Sequence, residues 1–291
     1  MERRKKGVAL TSLAAAVGLT AFKLIIGLLT HSLGILAEAA HSSLDLAAAG
    51  ATYLAVRSSG RPPDSSHRYG HGKIENLSAL FETVLLLATC AWIVNAAIHR
   101  LLRGGVEVEV TFWSYLVMLV SMGTDWSRSR ALRRVAKETN SQALEADALH
   151  FATDIWSSGV VIIGLACLQV ARWRPAFSWL RNSDAIAALA VAGIATFVTV
   201  RLGFRTVQAL MDAAPSGMEY RIIGAAESVA GVIDCHSVRF RYSGPTLFVD
   251  AHILMDGTLP LSRAHEIADQ VESAIQSEIP GADVTVHPEP R

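Results

Sequence analysis

Apolar residues fall into six long runs over the first 211 positions, and each run is near the roughly 20 residues that a helix needs to cross a bilayer core. The runs predict six membrane-spanning helices, at about 7–30, 33–56, 74–102, 110–131, 141–170 and 183–211. Asp125, Trp126 and Arg128 interrupt the fourth run. We expect that end of the helix to face the cytoplasm or to be lined by neighbouring helices.

The pattern changes after Asp212, where Pro215, Ser216 and Gly217 mark a break. Helical periodicity, strand alternation and a Ser-Gly-Pro turn then predict a helix at 218–229, strands at 236–242 and 246–255, a helix at 261–279 and a strand at 283–287. The order α-β-β-α-β predicts a small α/β domain of ferredoxin-like type. The sequence therefore divides into a six-helix transmembrane domain over 1–211 and a second domain over 212–291.

Composition supports a membrane protein. The chain has 291 residues, 51% of them hydrophobic and only 18% charged, and its mean hydropathy is +0.34. Soluble proteins carry about 25% charged residues. The formal net charge is zero and no long basic tract occurs, which argues against nucleic acid as a partner. The three scattered cysteines form neither a disulfide framework nor a C-x-x-C metal motif.

Lys and Arg are distributed unequally between the two sides of the predicted helices. One side carries Arg3, Arg4, Lys5, Lys6, Arg57, Arg61, Arg68, Lys73, Arg128, Arg130, Arg133, Arg134 and Lys137. The other side carries Arg100, Arg103, Arg172, Arg174 and Arg181. Because positive loops stay in the cytoplasm, this excess predicts that both termini are cytoplasmic. The basic N-terminus has no convincing cleavage site after it and is interpreted as an anchor, not a signal peptide.

Two His-x-x-x-Asp pairs lie inside apolar runs: His41 with Asp45, and His150 with Asp154. A spacing of four places both members of a pair on one face of a helix. Two such helices facing each other offer two imidazole nitrogens and two carboxylates, a tetrahedral set suited to zinc. Ionisable residues in a membrane span are costly, so they indicate function.

Other interpretations of these residues stay open at this point. A single intramembrane His or Asp could be structural, hydrogen-bonded to a neighbouring helix, although two pairs of equal spacing in two spans argue against that. Glu38 and Asp147 each lie three residues before a histidine of a pair. Glu38 could be an outer ligand, a proton acceptor or a residue of a water-filled vestibule, and Asp147 has the same ambiguity.

Two further groups of candidate ligands lie outside the apolar runs. Asp64, His67 and His71 are close enough in the loop after the second run to share one metal, or they form an ordinary polar loop. The Gly-His-Gly-Lys segment of this loop lacks the spacing of a phosphate-binding P-loop. The second domain contains four scattered histidines, which are metal ligands or surface residues: His236, His252, His265 and His287, with Glu289 beside the last.

Several segments together resemble the cation diffusion facilitator family, and in particular its bacterial zinc/iron exporters. They are AEAAHSSLD at 37–45, HRYGHGK at 67–73, SQALEADALHFATD at 141–154 and SGPT at 243–246. The resemblance covers nearly the whole chain. It implies a homodimer in the cell inner membrane that exports divalent metal in exchange for protons, with Zn(II) as substrate and regulatory ligand and no organic cofactor.

The resemblance also implies roles for individual residues. The transport site would be His41, Asp45, His150 and Asp154, and the loop site would be Asp64, His67 and His71. His236, His252, His265 and His287, with Glu289, would form a binuclear site in a cytoplasmic dimerisation domain. Lys73 and Asp212 would form a charged pair that helps hold the protomers together.

The sequence leaves alternatives for the metal and for the class of activity. Some relatives have Asp where this chain has His41, and the extra imidazole favours zinc over manganese or magnesium. Cobalt, cadmium and iron(II) remain alternatives. We do not expect an enzyme: a metal-dependent hydrolase would need a base beside the metal, for which Glu38 is the only nearby candidate. A non-transporting metal-sensing partner subunit is the main alternative function.

Overall fold

The computed structural model describes residues 2–30, 33–103, 112–173, 183–214, 217–244 and 246–291. Within these ranges the chain forms eight helices and three strands: α1 (Glu2–Thr30), α2 (Leu33–Ser59), α3 (Lys73–Arg103), α4 (Phe112–Thr139), α5 (Gln142–Trp173), α6 (Ser183–Leu210), α7 (Met218–Glu227), β1 (Asp234–Ser243), β2 (Thr246–Met255), α8 (Leu261–Glu278) and β3 (Asp283–Pro290). They form two compact units, one of Met1–Gly60 with Ile74–Thr206 and one of Arg61–Lys73 with Val207–Arg291.

The membrane unit, which is the first of these, contains the six long helices. Helices α1, α2, α4 and α5 pack against one another, and α2 packs directly on α5. Its core includes Leu132 and Ala136 of α4 with Leu144 and Phe151 of α5. A smaller cluster joins Ala79 of α3, Ala146 of α5 and Leu202 of α6.

Helix α4 continues beyond its predicted end near residue 131 and reaches Thr139. The continuation is amphipathic, because Leu132 and Ala136 are buried while Arg133, Arg134 and Lys137 are exposed. Core packing on one face therefore extends a helix whose sequence no longer resembles a membrane span.

Three helices are long and apolar enough to cross a membrane when the described residues are searched. They are Arg3–Leu29, Lys73–His99 and Leu189–Leu210, with mean hydropathies of 2.0, 2.0 and 1.3.

The C-terminal unit has the predicted α-β-β-α-β element order. Its sheet has the order β1-β2-β3, with β1 antiparallel and β3 parallel to β2. Alternate residues of the strands face a core shared with α7 and α8, including Ala251, Ile253, Ile222 and Ile275. Residues between them, such as His252, lie on the opposite face of the sheet. This unit also contains the loop Arg61–Lys73.

Candidate metal sites

The packing of α2 on α5 brings three of the four predicted transport ligands together. Asp45, His150 and Asp154 each offer a ligand atom, and these atoms all lie within 4.8 Å of one another. The Nε2 atom of His150 is 3.1 Å from Oδ1 of Asp45 and 3.6 Å from Oδ2 of Asp154. One imidazole nitrogen therefore lies between two carboxylates from two different helices.

His41, the fourth predicted ligand, lies at the edge of this cluster. Its Nε2 atom is 4.0 Å from Oδ1 of Asp45, and its side chain is 30% exposed. Its ring lies 6.4 Å from the ring of Trp92, measured between centroids. His41 is thus adjacent to the three-residue cluster without belonging to it, and a change of side-chain rotamer would be needed for it to complete a tetrahedral set.

The cluster is enclosed by other buried polar groups. His150 is 2% exposed, and its Nδ1 atom has no hydrogen-bond partner among the described residues. Lys23 donates a hydrogen bond of 2.8 Å to Oγ of Ser42, one turn from Asp45 on α2. Lys23 also lies within electrostatic range of Asp45 and Asp154. A buried cation near two carboxylates lowers the free-energy cost of holding both as anions.

The structure also shows buried ionisable residues that the sequence analysis did not identify as part of a site. Glu82 of α3 is fully buried and accepts a hydrogen bond from Thr52 of α2. Lys5 and Glu75, both 1% exposed, form an ion pair of 2.6 Å. Glu82 could have been noticed, because it is the one charge inside the apolar stretch 77–98. Lys5 could not have been identified from the sequence, because it is one of four consecutive basic residues at the N-terminus.

Of the two residues whose roles were open near the quartet, Asp147 takes part in a chain of buried polar contacts that also contains Asp125. Arg128 pairs with Asp125 at 3.4 Å and donates a hydrogen bond of 3.1 Å to Ser12. Ser12 in turn donates to Asp147 at 3.5 Å. These contacts link α1, α4 and α5 through one buried polar chain. The side chain of Glu38 lies outside the described part of the structure.

The loop residues Asp64, His67 and His71 come together as predicted from their spacing. Their ligand atoms all lie within 4.8 Å of one another. Asp64 accepts hydrogen bonds from the backbone N–H groups of His67 and Ser66, at 2.7 and 2.8 Å. These two bonds lower the pKa of the Asp64 carboxyl. Asp64 is therefore held as an anion facing two imidazoles.

This loop packs on the β1–β2 hairpin within the C-terminal unit. The Arg241 guanidinium lies 4.2 Å from the centroid of the Tyr69 ring, and that ring meets Phe248 edge-on at 5.3 Å. Gly72 lies so close to the Ser243 carbonyl that an added Cβ would collide with it. The loop that carries the Asp64 cluster is therefore packed against the sheet.

A charge network stands beside this contact. Asp212 pairs with Lys73 at 2.8 Å and with Arg241 at 3.4 Å. Burial opposes the ionisation of Asp212, but its hydrogen bonds and the charges of Lys73 and Arg241 outweigh burial and lower the pKa of this carboxyl. The pair Lys73–Asp212 that the family resemblance implied is therefore present within one chain.

The third cluster lies on the face of the sheet opposite the core. His236, His252 and Glu289 have ligand atoms within 4.8 Å of one another. Glu289 accepts hydrogen bonds from His252 at 2.8 Å and from His236 at 3.2 Å. The bond from His252 is the largest influence and lowers the pKa of the Glu289 carboxyl. Desolvation opposes it, and the bond from His236 adds to the lowering. Strand register causes the arrangement, because His236 is paired with His252, and His252 with His287.

The other two predicted ligands of this domain differ from each other. His287 is at the margin of the cluster: its ring centroid is 4.9 Å from that of His252, and its Nε2 is 3.9 Å from Glu289. His265 lies on α8, is 76% exposed and has Asp269 at 3.9 Å. The chain thus gathers three of the five residues tightly, holds His287 beside them and leaves His265 apart.

Comparisons with known proteins point to one family. The family model of the cation efflux transmembrane domain matches residues 9–211, and that of the cation efflux protein cytoplasmic domain matches residues 215–291. The cation-efflux pump FieF of Salmonella paratyphi A is 33% identical over 98% of this chain and 92% of the relative. FieF of Pectobacterium carotovorum subsp. carotovorum is 34% identical over 95% of this chain and 92% of the relative.

A solved structure of MamM-CTD 215-293 is 33% identical over 25% of this chain and 95% of that chain, with a TM-score of 0.25. The family models and the FieF relatives together cover both units of the fold. The chain therefore belongs to the cation efflux family, the cation diffusion facilitators, which are membrane transporters of divalent metal cations.

Proposed function

We propose that this chain is a proton-coupled antiporter that exports Zn(II) from the cytoplasm across the inner membrane. It acts as a homodimer of six-span protomers with both termini in the cytoplasm, a transmembrane domain over 1–211 and a ferredoxin-like domain over 212–291. The observation that carries the proposal is the position of His150 Nε2, 3.1 and 3.6 Å from carboxylate oxygens of two packed helices.

Zinc fits the donor set at this position. Asp45 and Asp154 supply oxygen ligands and His150 supplies nitrogen, while His41 stands 4.0 Å from Asp45 and can supply the fourth ligand. A tetrahedral set of two nitrogens and two oxygens suits zinc. Iron(II), cobalt and cadmium accept similar ligands, and geometry rather than raw affinity separates them in the cell.

Proton coupling follows from competition for one atom. When it holds no metal, Nε2 of His150 can hold a proton, which it would donate to Asp45 at 3.1 Å with the Asp154 carboxylate 3.6 Å away. Zinc needs the lone pair of the same nitrogen, so metal binding displaces the proton and protonation expels the metal. Export of zinc and entry of protons are then two halves of one exchange at His150.

Alternating access would be a rocking of the helices around this site. The loop cluster and the sheet cluster would bind zinc on the cytoplasmic side, where they join the loop to the sheet and steady the dimer. Zinc at those clusters changes transport only if its affinity differs between the inward-facing and outward-facing states.

The test is zinc-driven proton movement in liposomes that contain the purified protein and a pH-sensitive dye. Zinc added outside should drive a proton counterflow in the wild type. The counterflow should be absent in Asp45→Ala and in Asp154→Ala, because each change removes a ligand and leaves His150 with one anion. Repeating the measurement with iron(II), cobalt and manganese ranks the substrates.

A metal-sensing partner subunit gives a different result in the same experiment. Such a protein would bind zinc but would show no flux under any imposed gradient. Binding without flux would therefore overturn the transporter proposal, and flux that persists in both aspartate variants would overturn the proposed site.

A further inference from the structure

A basic groove with a volume of about 500 Å³ lies between α4 and α5 of the membrane unit, and none of the metal-cluster residues lines it. Helix α4 contributes one face, with residues at helical spacing: Trp126, Ser129, Arg130, Arg133, Arg134 and Lys137. Helix α5 contributes the apolar part of the wall through Ala152, Ile155 and Trp156. We call this the α4–α5 groove.

The four cations of the groove have no acidic partner among the described residues. Arg130, Arg133, Arg134 and Lys137 are all exposed and form no ion pair within the described ranges. Arg128, on the same helix, contrasts with them, since it is buried and paired with Asp125. The groove therefore concentrates positive charge that no described residue neutralises, and it fits an anion.

Two exposed tryptophans mark one end of the groove. Trp126 is 59% exposed and Trp156 is 68% exposed. The guanidinium of Arg130 lies 5.6 Å from the ring centroid of Trp126, within range of a cation–π contact. Tryptophan is enriched where membrane helices cross the interface between lipid and water. Along α4 the distance from Trp126 to Lys137 is about 16 Å at 1.5 Å per residue, long enough to extend through a headgroup layer of about 5–8 Å.

We propose that the α4–α5 groove binds an anionic phospholipid of the cytoplasmic leaflet, with the lipid phosphate among the arginines and the start of its acyl chains against Ile155 and the two tryptophans. Basic pockets between membrane helices on the cytoplasmic side are suited to such headgroups. A soluble phosphate would neutralise the cations but leave the exposed tryptophans uncovered. The proposal rests on the membrane orientation given under the proposed function, and it adds a lipid ligand to that function.

The test measures which lipids the full-length protein retains. The protein is reconstituted in bilayers of equal parts phosphatidylglycerol and phosphatidylcholine, extracted, and its bound lipids are counted by native mass spectrometry. The groove variant is Arg130→Gln with Arg134→Gln. The charge-matched control is Arg3→Gln with Arg57→Gln, since both of these arginines are exposed and neither lines the groove. Both sit at the same end of the bundle as the groove cations, at the start of α1 and the end of α2.

Wild type and control should retain phosphatidylglycerol in preference to phosphatidylcholine. The groove variant should lose about 10-fold or more of that preference, given the contribution of each basic residue near an anionic surface. Equal loss in both double variants would mean bulk charge attraction, and no loss in the groove variant would mean no site; either result overturns the proposal. Displacement of the lipid by millimolar inorganic phosphate would also overturn it, because the groove would then be a general anion site.

A second measurement does not depend on the arginine variants. Phosphatidylglycerol with brominated acyl chains should quench tryptophan fluorescence more strongly than brominated phosphatidylcholine in the wild type. That difference should disappear in Trp126→Phe with Trp156→Phe, and its persistence would contradict the proposal. Zinc flux is measured separately, so a protein that transports zinc without lipid selectivity disproves the lipid site alone.

Discussion

The membrane unit and the C-terminal unit contain clusters of similar ligands in opposite surroundings. In the membrane unit His150 is 2% exposed and Asp45 14%. In the C-terminal unit His236 is 38% exposed and Glu289 34%. Water can replace the metal at the sheet cluster and solvate each ligand separately. At the buried cluster it cannot, so under the proposed mechanism a proton and a metal ion would have to replace each other there. Burial, and not the ligand types, separates a site that could couple transport from one that only binds.

The charged contacts around the clusters also differ in burial between the two units. The membrane unit holds its charges in buried pairs such as Lys5–Glu75, and breaking a buried pair is strongly destabilising. The C-terminal unit holds the loop site with the half-exposed charges of Asp212 and Lys73 and with close backbone packing at Gly72. Ion pairs of that exposure contribute little, so the backbone contact should be the more important of the two.

The largest expected effect is at His150. His150→Ala should weaken zinc binding at the membrane cluster by more than about 100-fold, because it removes a direct ligand, and even outer-shell partners are worth 10- to 100-fold. Zinc titration calorimetry measures this in protein that also carries His71→Ala and His252→Ala, so that the other two clusters are silent.

The control for this prediction is His99→Ala, which removes an exposed histidine from α3. It should leave the titration unchanged. Equal zinc affinity in His150→Ala and His99→Ala would contradict the comparison of the two units, because His150 would then not be a zinc ligand of the buried cluster.

A smaller effect is expected at the loop. Gly72→Ala should destabilise the C-terminal unit by about 1–3 kcal/mol, the usual cost of overpacking, because its Cβ meets the Ser243 carbonyl. It should also weaken zinc binding at Asp64 and His71. Gly224→Ala is the matched control: nothing lies within 4 Å of its Cβ, and alanine in a helix should stabilise by about 0.5–1 kcal/mol. Differential scanning fluorimetry of the full-length protein compares the two.

If Gly72→Ala and Gly224→Ala melted alike, and the loop kept its zinc, the loop would not depend on the sheet. The loop cluster would then be an independent third site, and the comparison of two units would have to become a comparison of three.

The smallest expected effect concerns Asp212 and depends on pH. Because the folded pKa of Asp212 is lowered by Lys73 and Arg241, its contribution to stability is present at neutral pH. That contribution is lost as the pH falls below the ordinary carboxyl pKa of about 4 and through the lowered value. Asp212→Asn should therefore lower the free energy of unfolding at pH 7 by no more than about 1 kcal/mol, seen as a slightly lower melting temperature. The difference between variant and wild type should vanish on acidification.

Melting curves of wild type and Asp212→Asn over a pH series measure this. Asp283→Asn is the control, since no hydrogen bond or ion pair of its side chain is found among the described residues. A difference that grew as the pH fell would contradict the sign of the pKa shift.

Sequence reasoning predicted most of the fold because apolar runs and strand alternation are local signals. Each predicted helix and strand lies within a few residues of an observed one, and α4 is longer because Leu132 and Ala136 pack in the core. Grouping of the loop Arg61–Lys73 with the C-terminal unit was not predictable, because it depends on Gly72 meeting Ser243, far away in the chain.

The candidate sites show the same contrast between local sequence signals and tertiary contacts. Spacing of four on a helix placed Asp154 beside His150, and proximity in the loop placed Asp64 beside His71. Strand register placed His236 beside His252, which no sequence spacing indicates. His265 has the right residue type but lies on α8, outside that register. Residue type and local spacing identify candidates, and tertiary packing decides which of them meet.

The most direct measurement compares the two units in one transport experiment. Zinc uptake and proton movement are recorded together in liposomes containing wild type, Asp154→Asn or His252→Ala. Asp154→Asn should lose both fluxes, while His252→Ala should keep its maximal rate and change only the zinc concentration at which that rate is reached. Retention of zinc flux by Asp154→Asn, or complete loss of flux in His252→Ala, would contradict this prediction.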